Sequence, residues 1–343
     1  MAAHPLRVTA LTSGKYDASS RFRIRQFIGP LAQQDISVTE YWPLIDRYRI
    51  EPLPLLTMAL RVPGLVASRF SDVAWLGREL ASGKPTLEHF AGRRRVFDVD
   101  DAIWAPYPSD FSAAIVARCD GVIAGSTFLF DHYKNLCPRV WLVPMSIDTN
   151  AWRPATANAA AATNPKTKWT VGWLGTPSNF PYLYSIEEPL SDFLRQHHDA
   201  RLLICSGTRP TLRMLPQDRW EFLPWSMQGE ISAVQQMDVG LMPLEDTEMA
   251  RGKCGFKMLA YMAVGIPVIV SPVGENHDRL RRAEIGLAAT SPNDWYQALE
   301  RLYRDRKAAA AMGAEGRKLA ENLYSVQTNA ALLASIFREV AAL

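Results

Sequence analysis

Residues 239–276 read VGLMPLEDTEMARGKCGFKMLAYMAVGIPVIVSPVGEN, and they contain the pattern of a strand, a loop, a helix and a second strand. The first apolar run ends at Met242-Pro243, and a polar loop follows it. A helix is predicted to begin near Cys254–Phe256 and to end at a Gly-Ile-Pro turn, because glycine and proline terminate helices. The apolar run 268–270 then predicts another buried strand. A strand–helix–strand unit of this kind connects parallel strands.

The same alternation of apolar runs and helical stretches extends outward from this stretch over the whole chain. The other predicted strands are 6–11, 36–39, 95–99, 121–124, 140–143, 170–175 and 201–205. Three helices rich in alanine, leucine, arginine and glutamate are predicted at 293–307, 308–323 and 326–341. We therefore predict an α/β protein with two Rossmann-like, doubly wound parallel-sheet domains. Such sheets bind ligands at the carboxyl ends of their strands, so we expect the domains to face each other across a cleft.

A segment between Pro154 and Trp169 has no large apolar residue and cannot contribute to a core. We therefore predict a linker there. The predicted domains are an N-terminal Rossmann-like domain at 1–154, the linker at 155–168, a C-terminal Rossmann-like domain at 169–325, and a last helix at 326–343 that packs back on the first domain. A length of 343 residues also favours two domains.

Composition excludes several classes of protein. Hydrophobic residues make up 48% and charged residues 21%, as in ordinary globular proteins. The net charge of +3 is too small for a protein that binds nucleic acid by neutralising phosphates. Four dispersed cysteines favour neither a disulfide framework nor a zinc site. With no run of 18 apolar residues and no signal peptide, we expect a soluble, cytoplasmic protein.

The loop and helix start within 239–276 favour an anion site. Lys253 and Lys257 stand at the start of the predicted helix, where unpaired backbone N–H groups also attract anions. Two lysines at a helix N-terminus therefore suggest a bound phosphate, although solvated lysines on an exposed turn are the alternative. Neither GxGxxG nor GxxxxGK[ST] occurs, which disfavours dinucleotide-binding and P-loop proteins.

Several motifs along the chain form one combination. The strongest is Arg251-Gly252-Lys253-Cys254-Gly255-Phe256-Lys257 followed by Tyr261-Met262-Ala263 and Gly265-x-Pro267-Val268. The others are 18–23 (ASSRFR), 97–104 (FDVDDAIW), 120–126 (DGVIAGS), 143–148 (VPMSID) and 172–177 (GWLGTP). Together they cover essentially the full chain and resemble the motifs of the family-4-like, GT-B-type retaining glycosyltransferases. The resemblance implies that the domain at 1–154 binds the acceptor and that the domain at 169–325 binds the nucleotide sugar.

This resemblance implies transfer of a sugar from a nucleotide-sugar donor, with retention, to a glycan, lipid-linked or small acceptor. It implies no cofactor and no metal. The implied catalytic cations are Lys253, Lys257 and Arg209. The implied donor-binding residues are Gly175, Thr176, Ser206, Gly207, Thr208, Trp225, Arg251, Gly252, Gly255 and Phe256. The implied acceptor-side residues are Ser20, Arg21, Asp100 and Asp101.

One departure from the family pattern concerns its pair of glutamates, eight residues apart. These positions are Gly252 and Ala260 here, so the carboxylate that holds the donor ribose is missing. Glu245, Asp246 and Glu248 are the candidate replacements. The departure keeps open a non-catalytic nucleotide- or carbohydrate-binding protein, and a sugar-nucleotide epimerase is a third alternative.

Three features of the N-terminal half have more than one interpretation. Asp98, Asp100 and Asp101 could ligate a metal, form hydrogen bonds with the acceptor or with the loop that carries Ser20 and Arg21, or cap the next helix. Ser19-Ser20 is predicted to cap a helix that begins with three arginines, of which we expect Arg21 to contact ligand and the others to be solvated. The apolar stretch 52–66 either packs on the sheet, lies on a membrane surface or receives a lipid-linked acceptor. The run Arg93-Arg94-Arg95 is either solvated or in contact with anionic lipid.

Overall fold

The computed structural model describes residues 4–43, 54–155 and 168–343. The chain divides into two compact units. The first unit contains Met1–Ser146, Thr247–Cys254 and Tyr324–Leu343, and the second contains Ile147–Asp246 and Gly255–Leu323. The predicted linker at 155–168 lies almost entirely outside the described residues.

The first unit is built on a six-stranded sheet in which every paired strand is parallel. Its strands are β1 (Leu6–Leu11), β2 (Ile36–Tyr41), β3 (Val73–Gly77), β4 (Arg95–Val99), β5 (Gly121–Ala124) and β6 (Val140–Leu142). They lie in the order β2-β1-β3-β4-β5-β6. The order reverses between β1 and β3, which is the position where doubly wound sheets bind ligands.

The helices of the first unit cover this sheet. They are α1 (Ile28–Ala32), α2 (Pro54–Ser68), α3 (Phe111–Val116), α4 (Thr127–Tyr133), the short α8 (Glu248–Arg251) and the last helix, α13 (Val326–Ala341). The last helix inserts Leu333 and Phe337 into the core that Val8, Trp75 and Val96 form on the sheet. The rings of Trp75 and Phe337 meet edge to face with centroids 4.9 Å apart.

The second unit repeats the architecture. Its strands are β7 (Trp169–Leu174), β8 (Ala200–Ser206), β9 (Trp220–Pro224), β10 (Val239–Met242), β11 (Val268–Val270) and β12 (Gly286–Ala288), in the order β12-β11-β10-β7-β8-β9 with parallel pairing throughout. Its helices are α5 (Phe180–Tyr184), α6 (Glu187–Gln196), α7 (Glu230–Gln235), α9 (Phe256–Ala263), α10 (Glu275–Leu280), α11 (Pro292–Arg304) and α12 (Arg306–Leu323). Trp173, Leu202, Leu241 and Leu299 belong to its core.

The predicted α/β class with two doubly wound parallel sheets is confirmed, and the cleft stays a prediction. The sequence analysis did not predict β3, β9 or β12, which are short strands without clear flanking signals. In the described part of the chain, no helix is long and apolar enough to cross a membrane.

The helix predicted to start after Ser19-Ser20 is irregular. Residues Ser20–Ile24 form a π-helical turn, a 3₁₀ turn follows, and only then does α1 begin. The predicted cap is wrong, because the Ser19 side chain makes no capping hydrogen bond and binds Asp100 instead.

Candidate functional site

Most of the predicted donor-binding residues lie where strands of the second sheet end. They are Gly175 and Thr176 after β7, Ser206, Gly207 and Thr208 at and beyond the end of β8, and Trp225 after β9. The three turns are close to one another, since the amide of Trp225 donates to the Ser206 carbonyl at 2.8 Å. A Cβ on Gly207 would lie 3.9 Å from Pro177 Cδ. The parallel strands therefore bring these residues to one edge of the sheet.

At this edge, Trp225 is held by a hydrogen bond and Ser206 is buried without a hydrogen-bond partner among the described residues. The indole nitrogen of Trp225 donates to Glu230 at 2.9 Å, so Trp225 has a fixed orientation. Ser206 is fully buried, and its hydroxyl has no hydrogen-bond partner among the described residues. A buried polar group without a partner is costly, and such groups cluster where a ligand is bound.

Lys257 lies beside the end of β7, on the first turn of α9. Its Nζ atom is 4.8 Å from the centroid of the Trp173 ring, so a cation–π contact holds the ammonium group there. A Cβ at Gly175 would lie 2.5 Å from the Trp173 ring and 3.0 Å from Lys257 Cε. Only glycine at position 175 leaves room for this pair.

The turn that precedes α9 is held by a buried arginine. Gly255 has φ +64°, which favours glycine, and its carbonyl accepts a hydrogen bond of 2.6 Å from Arg279. Arg279 is fully buried and faces Glu275 at 3.7 Å. The adjacent Phe256 packs edge to face on Trp152, with ring centroids 5.9 Å apart. The start of α9 is therefore fixed in place.

A buried tyrosine fixes α9 against the sheet. The hydroxyl of Tyr261 accepts a hydrogen bond from the Leu174 amide at 2.8 Å and donates to the Leu241 carbonyl at 3.3 Å. Burial raises the pKa of this phenol above its usual value, so it stays protonated. Lys257 thus stands on a helix whose position is tied to the ends of β7 and β10.

Arg209 is directed away from this edge. Its guanidinium lies 4.3 Å from the centroid of the Trp220 ring and donates to Gln217 at 3.2 Å. Trp220 is the first residue of β9 and pairs with Leu202, four residues before the end of β8. Arg209 is therefore held by Trp220 and Gln217 near the start of β9, and its role at the donor stays a prediction.

In the first unit, a buried ion pair lies at the end of β4. The Nε atom of Arg23 donates to Asp98 at 2.7 Å, and Arg23 Nη1 donates to the Val143 carbonyl at 2.7 Å. Asp98 also accepts a 3.0 Å bond from the Trp75 indole. Burial lowers the pKa of Arg23, but the charge of Asp98 and the hydrogen bond with it outweigh burial and raise that pKa. The guanidinium therefore stays charged. The expectation that Arg23 is solvated is wrong, because it is 3% exposed.

Next to this pair, Asp100 and Asp101 form a cluster with Arg78. Ser19 donates to Asp100 at 2.5 Å, and Arg78 lies 3.2 Å from Asp101 and 4.0 Å from Asp100. Burial, and then the charge of Asp101, raise the pKa of Asp100 to about 7. Sequence reasoning missed Arg78, whose only signal is its position directly after the unpredicted strand β3; its φ of +67° is rare for arginine.

The other acceptor-side predictions have structural partners. Ser20 accepts hydrogen bonds from the amides of Ser13 and Gly14 at 3.1 and 3.3 Å, so it shapes the turn after β1. The guanidinium of Arg21 lies 4.6 Å from the centroid of the Phe22 ring. Arg25 is not simply solvated, as we had expected, because it forms two hydrogen bonds with Glu40 at 2.6 and 2.7 Å.

The segment Thr247–Cys254 packs in the first unit, and it carries Arg251, Gly252 and Lys253. Glu248 accepts a 2.7 Å hydrogen bond from the indole of Trp104. Lys253 therefore belongs to the first unit and Lys257 to the second. The sequence places these lysines four residues apart but gives no sign that they divide between units.

Neither of the two positions that lack the family's glutamates has room for a larger side chain. A Cβ on Gly252 would lie 2.4 Å from the Cβ of Ala102, and Ala260 is fully buried in α9. Glu248 is already bound to Trp104. Glu245 lies at the carboxyl end of β10, and its charge raises the pKa of Tyr182, second to burial. Glu245 and Asp246 are the replacements that remain.

No group of three or more His, Cys, Asp or Glu residues in the described ranges has the arrangement of a metal site. Asp98 is bound to Arg23 and Trp75, and Asp101 to Arg78. The three aspartates therefore serve hydrogen bonds and ion pairs in this structure.

Comparison with known proteins gives a consistent result. Residues 170–305 match the family profile described as glycosyl transferases group 1. The fold is similar to sucrose-phosphate synthase from Thermosynechococcus elongatus, with a TM-score of 0.72, 15% identity and coverage of 98% of this chain and 99% of that one. The chain therefore has a GT-B-like fold, and its residues 170–305 match a glycosyltransferase family.

Two further solved structures are similar to this chain. Anabaena HepE in complex with UDP and glucose has a TM-score of 0.70 and 14% identity, with 97% of this chain and 99% of that one covered. WaaG, described as a glycosyltransferase involved in lipopolysaccharide biosynthesis, has a TM-score of 0.70 and 12% identity, with 96% and 99% covered. A comparison with curated protein sequences finds no significant match.

Proposed function

We propose that this protein is a glycosyltransferase, which moves a sugar from a nucleoside diphosphate sugar to an acceptor hydroxyl, with retention and without a metal ion. The observation that carries the proposal is the placement of Lys257 over Trp173, beside Gly175 and the fixed start of α9. The solved structures of Anabaena HepE with UDP-glucose and with UDP support a donor of this class. The group 1 match supports family-4-like chemistry.

The donor diphosphate binds, in this proposal, where α9 begins. The ammonium group of Lys257 and the backbone N–H groups stabilise the negative charge that develops as the sugar–phosphate bond breaks. Fixed groups of this kind are effective because they need no rearrangement during the reaction. Ser206 and Trp225 contact the rest of the nucleotide, and Glu245 or Asp246 replaces the missing ribose carboxylate. Lys253 and Arg251 stay candidates from the sequence alone.

Retention follows from attack on the same face that the diphosphate leaves. The bond from the anomeric carbon to the diphosphate oxygen breaks, and a bond to the acceptor oxygen forms. The acceptor proton passes to the departing phosphate oxygen. No enzyme nucleophile is required. Asp100 and Asp101 bind the acceptor, which is a glycan, a lipid-linked sugar or a small molecule.

Turnover by Lys257→Ala tests this proposal. Nucleoside diphosphate release is measured from a set of nucleotide sugars with a mixture of acceptors. Loss of one charge-stabilising group lowers kcat by about 10²–10³-fold. Lys318→Ala is the control, because Lys318 is exposed and pairs with Glu315. Unchanged turnover in Lys257→Ala, or loss of activity with a metal chelator, would contradict the proposal.

The closed positions at Gly252 and Ala260 favour a second candidate, a protein that binds nucleotide sugars without transferring them. Such a protein is stabilised thermally by the donor but releases no nucleoside diphosphate. An epimerase, the third candidate, converts the donor sugar without any acceptor. Release of nucleoside diphosphate identifies a transferase, and analysis of the donor sugar after incubation separates an epimerase from a binding protein.

A further inference from the structure

The outer face of α2 carries no charged side chain. The one charged residue of this 15-residue helix is Arg61, which is 5% exposed and donates to the carbonyls of Thr12 and Leu80. The side of the helix at Gly64 packs against Leu11 and Tyr41. The exposed side chains that the structure describes in this helix are therefore all apolar, although surface helices normally place charged residues there.

The apolar face continues beyond the end of α2. Val62 and Val66 are 47% and 55% exposed, and Phe70 is 72% exposed. Phe90, 53% exposed, is near the same end of the helix, because the amide of Gly92 donates to Ser68 Oγ at 3.0 Å. We call Val62, Val66, Phe70 and Phe90, together with Arg69 and Arg93, the Phe70 patch.

The charges of the Phe70 patch are all positive. Arg69 and Arg93 are exposed, and neither has a carboxylate partner among the described residues. The neighbouring acids are engaged elsewhere: Glu88 is buried and binds the amides of Leu80 and Thr86, and Asp72 pairs with Arg7. Exposed aromatic and aliphatic side chains flanked by arginines are complementary to a membrane, whose interior is apolar and whose headgroups can be anionic.

We propose that the Phe70 patch binds the surface of a membrane that contains anionic phospholipids. The aliphatic and aromatic side chains enter the boundary between headgroups and acyl chains, and the two arginines bind lipid phosphates. Charge complementarity favours this occupant over a second copy of the chain, because a symmetric dimer would bring the arginines of both copies together. The proposal concerns a surface of the first unit and needs no donor.

Vesicle co-sedimentation tests the proposal. The protein is mixed with vesicles of phosphatidylcholine alone, or with equal parts of phosphatidylcholine and phosphatidylglycerol. We expect sedimentation with the anionic vesicles only, and release in about 1 M salt, where charges are screened beyond ~3 Å. Phe70→Ser and the double variant Arg69→Glu, Arg93→Glu each weaken binding by roughly tenfold or more. Because these side chains are exposed, thermal stability should be unchanged.

Matched controls come from the second unit. Met214→Ser removes another exposed apolar side chain, which is 43% exposed, and Arg282→Glu reverses an exposed charge; both should bind as the wild type does. Failure of the wild type to sediment with anionic vesicles would overturn the proposal, and so would equal binding by Phe70→Ser and Met214→Ser. A dimer in lipid-free solution that Phe70→Ser dissociates would assign the patch to a second copy instead. None of these results depends on glycosyl transfer.

Discussion

The candidate functional side chains at the carboxyl ends of the two sheets are positioned by neighbours that the sequence does not reveal. Lys257 is placed by Trp173 and by the absence of a side chain at Gly175. Asp100 is surrounded by Ser19, Asp101 and Arg78, which come from three different loops. Function at the residue scale therefore depends on contacts between turns.

Asp100 makes stability depend on pH. Its pKa is raised to about 7 in the folded chain, against about 4 for an unperturbed aspartate. The folded state therefore holds the proton more tightly, and stability contributed by the protonated carboxyl is lost as pH rises from about 4 to about 7. Asp100→Asn keeps an acceptor for Ser19 but cannot ionise. Chemical denaturation over this pH range should show a smaller fall in the free energy of unfolding for Asp100→Asn than for the wild type; identical profiles would contradict this account.

At the scale of elements, the segment Thr247–Cys254 explains the missing glutamates. It leaves the second unit after β10 and packs in the first, where Gly252 lies against Ala102 and Glu248 binds Trp104. The family pattern places a carboxylate where this chain has a close contact between two stretches of backbone.

A methyl group at position 252 should disturb this contact. Gly252 has an ordinary φ of −75°, so backbone strain plays no part, and a Cβ would lie 2.6 Å from the Ala102 amide nitrogen. We expect Gly252→Ala to lower the free energy of unfolding by about 1–3 kcal/mol through overpacking.

Gly29→Ala is the matched control for this substitution. Gly29 lies in α1, and a Cβ there meets nothing within 4 Å. This variant should be neutral or more stable by about 0.4–1 kcal/mol. Equal stability of the two variants in thermal melts would show that position 252 has room for a side chain.

At the scale of the whole molecule, the chain returns to the first unit at its end. The helix α13 inserts Leu333 and Phe337 into the core of the first sheet, while the second unit has a core of its own. The first 146 residues therefore do not complete their own core.

Neighbouring leucines in α13 test this dependence. Leu333 is fully buried and Leu332 is 38% exposed. Leu333→Ala should cost about 2–5 kcal/mol, because it leaves a cavity in the first unit. Leu332→Ala should change stability by about 0.5 kcal/mol or less. If both variants have the same melting temperature, α13 does not complete this core.

The fold was predictable from the sequence because its information is local. Apolar runs such as 6–11 and 201–205 alternate with helical stretches, and that alternation identifies parallel sheets without further knowledge. The strand β3 was missed, although its Trp75 lies at the centre of the first core, because five residues after a long apolar helix give no periodic signal.

The site was predictable only in part. The turns at Gly175, Ser206 and Trp225 follow from the ends of predicted strands, so their meeting at one edge could be expected. The directions of long side chains could not, and Arg209 turns back onto Trp220. The division of Lys253 and Lys257 between units depends on long-range packing that a spacing of four residues does not encode.

The affinity of Lys257→Ala for a nucleoside diphosphate tests the central claim most directly. Calorimetric titration of the wild type with the common nucleoside diphosphates first identifies the one that binds most tightly. A charged hydrogen-bond partner contributes about 1.5–3 kcal/mol, so Lys257→Ala should bind that nucleotide roughly 10- to 100-fold more weakly. Lys318→Ala should bind it as the wild type does. Equal affinity in Lys257→Ala, or no binding of any nucleoside diphosphate by the wild type, would contradict the account.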